Sequence, residues 1–158
     1  MVCLDYNFGA RVAKRLSDFF DMFYLDINAL ISYNLESEQN VVQKAGVEYF
    51  DKQVQKIALS AKEYENTIIN MPYDLYIKDG NNKEINKKCL SIFLKLSEEA
   101  LKEQDDARDE EDKLTVPLIA YDELTICMQN CTEYCIELNN TNENDCVKKI
   151  INALKTPK

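Results

Sequence analysis

Apolar and polar positions along this chain change period in blocks, and the changes mark its elements. Val2, Cys3 and Leu4 form a short apolar run, and Asp5-Tyr6-Asn7-Phe8-Gly9 reads as a loop. Val12, Leu16, Phe19 and Phe20 then recur at i, i+4, i+7 and i+8, which predicts an amphipathic helix. A second apolar run, Met22-Phe23-Tyr24-Leu25, ends in Asp26-Ile27-Asn28. Strand, loop, helix and strand make a βαβ unit, in which the loop after the first strand is the usual place for phosphate.

Beyond Asn28 the apolar pattern fades. Ser37 is a predicted N-cap ahead of Val41, Val42 and Ala45, and Gly46 interrupts that helix. Over residues 47–64 a longer helix is predicted, with Val47, Phe50, Val54, Ile57, Ala61 and Tyr64 on one stripe. Thr67-Ile68-Ile69-Asn70 predicts a buried strand stopped by Met71-Pro72. A turn at 78–82 and a short helix at 84–88 follow. Residues 89–96 give the clearest strand, after which Ser97 caps a helix with Glu98 and Glu99 in its first turn. Residues 103–113 are charged and lack large apolar side chains, which predicts a lid-like surface excursion. A helix over about 121–130, a last strand at 134–138 and a helix from Asn142 close the chain. The closing helix carries Cys146, Val147, Ile150, Ile151 and Leu154 as its apolar stripe. No repeat or linker divides residues 1–158, so one domain is expected, with a parallel sheet covered on both faces.

Composition narrows the function classes. The net charge is −9, and residues 98–112 hold nine acidic side chains against Lys102 and Arg108. Nucleic acid and anionic membrane surfaces both need clustered Lys and Arg, so neither is an expected partner. No apolar run approaches the roughly 18 residues of a membrane span. No basic region followed by an apolar one opens the chain, which leads to an expected cytoplasmic location. The six cysteines accordingly read as reduced thiols. Histidine is absent, which removes imidazole general bases, Ser-His-Asp and Cys-His nucleophile systems and His-containing zinc sites.

The order of elements resembles the shikimate kinases, small P-loop kinases, nearly end to end. Ala13-Lys14-Arg15-Leu16 followed by Phe23-Tyr24-Leu25-Asp26 is similar to the family's first helix and second strand. Gly46-Val47-Glu48-Tyr49-Phe50 is similar to the start of its substrate-binding helix, and residues 91–101 to the strand and helix before its lid. Pro117-Leu118 with Tyr121-Asp122-Glu123 resembles its Pro-Leu-Tyr-x-Glu element, and residues 142–154 its closing helix. The resemblance implies a three-layer α/β/α domain of the P-loop NTPase type with a five-stranded parallel sheet. It also implies Mg-ATP and transfer of a phosphoryl group to an alcohol.

The family's chemistry needs a Gly-rich loop ending in Gly-Lys-Ser/Thr, which cradles the phosphates and supplies a cation and a metal-binding hydroxyl. Here the equivalent stretch is Asn7-Phe8-Gly9-Ala10-Arg11. Gly9 stands in place of the Lys, Ala10 in place of the hydroxyl, and the loop is about two residues short of the consensus. In the Asp-x-Asp pattern Asp26 is kept, but Asn28 replaces the second acid. Asp51 stands where the resemblance implies a substrate-binding Arg. Asn70-Met71-Pro72 replaces a Gly-Gly-Gly turn, Thr115 replaces the Arg before Pro117-Leu118, and no lid Arg is evident in residues 103–113.

Arg11 or Lys14 could act as a relocated phosphate-binding cation near the positive end of the first helix; with Arg15 they equally form its solvated face, the favoured reading. Asp26 could hold a metal ion through water or be a strand-end acid in solvent, the latter being favoured. Cys127, Cys131 and Cys135 recur at four-residue intervals, yet a structural metal site usually uses Cys-x-x-Cys pairs. The acidic segment could attract a basic partner or Ca²⁺, though it lacks the ligand spacing of a calcium loop. Met71-Pro72-Tyr73, with Tyr76 and Phe50, could fill the old substrate cleft or line a pocket for another ligand.

The expectation is therefore a degenerate kinase relative. Gly9, Ala10, Arg11 and Lys14 would be the remnant of its cofactor loop, and Asp26, Asn28 and Asp51 that of its substrate site. It would have no catalytic residue, resident metal or cofactor, and would act by binding, as a scaffold or by self-association. The competing expectation is a divergent ATP-dependent small-molecule kinase that uses Arg11 or Lys14.

Overall fold

In the computed structural model, five strands form one parallel sheet in the order β2-β3-β1-β4-β5: β1 Val2–Cys3, β2 Phe23–Asp26, β3 Thr67–Pro72, β4 Ile92–Leu96 and β5 Tyr134–Leu138. The structure describes residues 1–35, 37–106 and 118–156. The expectations for the 107–113 stretch, Thr115 and Pro117 lie outside the described residues. Helices α1 Tyr6–Phe20 and α9 Glu143–Lys155 pack against each other. On the other face lie α4 Val47–Ser60, α5 Tyr73–Ile77, α6 Asn81–Ile85 and α8 Leu118–Cys131. Three further α-helices lie among the described residues: α2 Ile27–Asn34, α3 Glu38–Ala45 and α7 Glu98–Asp106.

The interior strand β4, between β1 and β5, buries apolar residues on both faces because both are covered. Phe93 and Leu94 are fully buried, each contributing roughly 1.5–3 kcal/mol by leaving water. Phe8, Val12 and Leu16 bury one stripe of α1, and Ile150 and Ile151 one stripe of α9. Gly46, at φ +87°, separates α3 from α4, a backbone angle that L side chains rarely adopt.

The structure departs from the sequence pattern at several places. The predicted loop at residues 5–9 is instead helix: α1 starts at Tyr6, and only Leu4 and Asp5 separate it from β1. The strand expected to stop at Met71-Pro72 runs through Pro72. Alternate residues of a strand bond opposite edges, so Pro72 faces the β2 edge, where pairing has already ended at Asp26↔Asn70; its missing N–H breaks no ladder bond. The strand predicted from Cys89 begins at Ile92, because the Cys89 N–H closes the end of α6 on the Ile85 carbonyl at 2.9 Å. Finally, α2 and α5 lie where no helix was expected. Ile27 is the one fully buried residue of α2, so its pattern is too weak to register as a stripe.

Candidate functional site

In open parallel sheets, ligands bind beyond the carboxyl ends of the strands. There, on this chain, the first helix is capped by a carboxylate. Asp5 is fully buried; its Oδ1 accepts the Phe8 N–H at 2.9 Å, and its carbonyl accepts the Gly9 N–H at 3.0 Å. These are backbone donors of the kind that a P-loop turns toward phosphate. With Asp5 capping them, the positive end of α1 is already matched by a negative charge. Among the described residues no glycine-rich loop intervenes between β1 and α1.

Gly9 is part of this buried turn. A Cβ there would lie 3.0 Å from the Cys3 Cβ and 3.1 Å from Asn70 Oδ1. The glycine therefore lets α1 approach β1 and β3 closely. Asn70 is fully buried between β3 and α1, and its Nδ2 reaches the Tyr6 carbonyl at 3.5 Å.

Asp26 ends β2 and caps α2, accepting the Ala29 N–H on Oδ1 at 2.9 Å. Two phenols close on the same carboxylate: Tyr6 at 2.7 Å to Oδ1 and Tyr24 at 3.0 Å to Oδ2. Burial raises the pKa of both phenols above the ordinary tyrosine value, and the Asp26 charge adds to this. The Asn28 N–H donates back to the Tyr6 hydroxyl at 3.3 Å. Tyr6, Tyr24, Asp26 and Asn28 thus form one hydrogen-bonded cluster, with Asp26 carrying three donors.

The cations lie elsewhere. Arg11 Nε binds Glu143 Oε1 at 2.7 Å, its guanidinium lies 5.8 Å over the Phe8 ring, and Nη2 reaches Gln104 at 3.4 Å. Arg15 binds the other Glu143 oxygen. Hydrogen bonds from Arg15 and Arg11 hold the Glu143 carboxyl below the usual range, against a smaller opposing effect of burial. Lys14 is exposed on α1, and Ala10 is half-buried in the same helix. Asp51 lies on α4 with Lys78 Nζ at 3.4 Å.

Cys127 and Cys131 share α8, whereas Cys135 is on β5 with Gln129 Nε2 at 3.7 Å. None of the six cysteines is in a disulfide. Among the described residues no group of three or more His, Cys, Asp or Glu side chains is arranged to hold a metal ion. Tyr76 is buried, its hydroxyl 2.9 Å from both Asn86 Oδ1 and the Cys131 carbonyl, which share its single proton, so it closes the base of α8. No helix among the described residues is long and apolar enough to cross a membrane.

Sequence reasoning did not single out Asp5, Tyr6, Tyr24 or Glu143. One signal was available. Asp5 stands three residues before Phe8, and Phe8, Val12 and Leu16 continue one helical stripe, the pattern of an N-cap followed by its helix. Nothing comparable marks Glu143, because its partners lie 128 and 132 residues away.

Sheet order and helix placement are those of the P-loop kinase fold of the shikimate kinase type, while the short β1–α1 connection departs from it. Superposition on solved structures gives the particulars. Shikimate kinase from Bacteroides thetaiotaomicron matches with a TM-score of 0.77 at 13% identity, over 98% of this chain and 96% of that one. The enzyme from Acinetobacter baumannii, solved in complex with shikimate, gives 0.74 at 15% identity over 97% and 90%. That from Aquifex aeolicus gives 0.68 at 16% identity over 98% and 96%. No family model matches the sequence, and a search of curated proteins finds no match. The likeness is one of fold.

Proposed function

We propose that this protein is a catalytically inactive, shikimate-kinase-like binding or scaffold protein of the cytoplasm that works through a protein partner or by self-association. The observation that carries the reading is the Asp5 cap. A carboxylate occupies the helix terminus at which a kinase of this fold would gather phosphate, and a nucleotide would have to bring polyphosphate charge against it. Two further features support it. Arg11 is paired with Glu143, and Asp26 already accepts from Tyr6, Tyr24 and the Ala29 N–H.

The test is a calorimetric titration with Mg-ATP together with an assay for ATP-dependent phosphorylation of shikimate. The expected result is a flat titration and no turnover above background. Phosphoryl transfer at ordinary enzyme rates would overturn the reading. It would also establish the alternative of a divergent small-molecule kinase, whose exposed Lys14 would then be the first residue to mutate. Size-exclusion chromatography with light scattering separates self-association from a monomer that needs another partner.

A further inference from the structure

Cys127 and Cys131 stand one turn apart on α8, so their side chains project from one face of that helix. Both are half-buried, and neither is in a disulfide. The Cys131 thiol is within hydrogen-bonding reach of the Cys127 thiol and of the Asn82 side chain, and Lys83 places a positive charge beside it. Asn82 and Lys83 belong to α6, so the two thiols lie at the seam between α6 and the end of α8. The pair sits where α8 leads into β5, apart from Asp5 and Asp26, which follow β1 and end β2.

The last turn of α8 is fastened in place. The Thr132 N–H donates to the Met128 carbonyl at 3.1 Å. The Cys131 carbonyl accepts from Asn86 Nδ2 at 2.8 Å and lies 2.9 Å from the Tyr76 hydroxyl. On an intact helix, residues four apart hold their Cβ atoms about 5–6 Å apart, whereas a disulfide needs about 3.5–4.5 Å. Oxidation to a disulfide would therefore have to unwind a turn that these contacts hold closed. Burial and the neighbouring Cys127 thiol push the Cys131 thiol up from its ordinary value, with Lys83 and Asn82 opposing. A thiol held protonated is slow to attack oxidants and disulfides. What the spacing suits is an atom seated between the two sulfurs.

Ligand count and charge select that atom. Zinc takes four protein ligands in structural sites and three in catalytic ones. Among the described residues no group of three or more His, Cys, Asp or Glu side chains could supply them. Thiolates favour soft ions, cuprous copper among them. A monovalent ion of that kind is satisfied by two thiolates alone, in a near-linear sulfur–metal–sulfur arrangement. Two thiolates, one Cu⁺ and the Lys83 ammonium also sum to zero charge. A divalent ion would leave an uncompensated positive charge at a half-buried seam.

We propose that Cys127 and Cys131 form a dithiol site on α8 for one monovalent soft metal ion of the Cu⁺ class, held between the two sulfurs. Each thiol gives its proton to solvent as its sulfur binds, so two protons leave for each ion taken up. The site stands whether or not a nucleotide binds near Asp5.

Cu⁺, kept reduced by ascorbate and buffered by the coloured chelator bicinchoninate without oxygen, is the probe. The full chain with its thiols reduced should take one Cu⁺ from the chelator. Cys127→Ser and Cys131→Ser should each weaken uptake by about a hundredfold or more, since losing a group that merely orients a metal ligand already costs about 10–100-fold. Cys135→Ser, on β5, should leave uptake unchanged. Equimolar Zn²⁺ should not displace the bound ion. In the unsubstituted chain, bound Cu⁺ should protect Cys127 and Cys131 from alkylation by N-ethylmaleimide, located by fragmentation mass spectrometry, a readout that does not depend on how the variants fold. No transfer of Cu⁺, transfer undiminished in either serine variant, protection of other cysteines instead, or displacement by equimolar Zn²⁺ would each overturn the proposal.

Discussion

The hydroxyl of Tyr6, at the first position of α1, donates a 2.7 Å hydrogen bond to Oδ1 of Asp26, the last residue of β2. This contact ties the start of the first helix to the end of the edge strand, across the place where a P-loop kinase of this fold leaves room for phosphate and substrate. Its consequences can be measured.

Tyr6→Phe removes one of three donors to Asp26. A hydrogen bond to a charged group contributes about 1.5–3 kcal/mol, so the variant should lose about that much stability. Asp26→Ala should lose more, because it also uncaps α2 and strands two phenols. Equilibrium urea unfolding gives both numbers, and equal stability of Tyr6→Phe and the parent protein would contradict the assignment.

The phenols of Tyr6 and Tyr24 should ionise above the ordinary tyrosine range, because burial and the Asp26 carboxylate both oppose the phenolate. Their pKa values are raised in the folded state. The associated stability is thus fully present below the unfolded phenol value of about 10 and is lost as pH rises through the folded values. Tyr73, Tyr76 and Tyr121 are raised by burial as well, so ultraviolet phenolate titration should show a late fraction that shrinks by one group in each of Tyr6→Phe and Tyr24→Phe.

At Gly9 the space for a side chain is missing, since the Cys3 Cβ and Asn70 Oδ1 would meet it at 3.0 and 3.1 Å. Alanine would gain up to about 1 kcal/mol in helix propensity. Overpacking typically costs about 1–3 kcal/mol, so Gly9→Ala should be mildly destabilising and Gly9→Val clearly so. A Gly9→Val protein with unchanged melting temperature would mean that α1 can move away from the sheet.

Glu143 joins α9 to both arginines of α1. Its folded pKa is lowered, so its contribution is present above the unfolded value of about 4.3 and is lost as pH falls below that toward the folded value. Glu143→Gln should cost about 1 kcal/mol at neutral pH and nothing once the pH lies below both values. A stability difference that persists unchanged into acid would rule out a charge-based role.

Much of the architecture was written in local pattern. β5 occupies residues 134–138 as expected, α9 starts behind its Asn142 cap, and Gly46 divides two helices. The order of these elements along the chain already resembled a shikimate kinase. Each of those features depends on residues within a few positions of one another, which is why periodicity and capping could reveal them.

The site is different in kind. Gly9 was read as a loop glycine because its neighbours include Asp5 and Asn7, both common in turns. Its real constraint is the approach of Cys3 and Asn70, and the second of these is 61 residues away. Asp26 was read as an acid in solvent or a metal ligand, and only folding brings the Tyr6 hydroxyl, 20 residues earlier, onto its oxygen. The amino acid sequence by itself therefore determined the layered α/β arrangement and the lack of a Gly-Lys-Ser/Thr loop, because both are properties of neighbouring residues. Tertiary structure alone decided that the loop is replaced by a carboxylate-capped helix and that Arg11 belongs to Glu143. The reason is that burial and pairing between distant segments depend on the closing of the sheet, which no local period encodes.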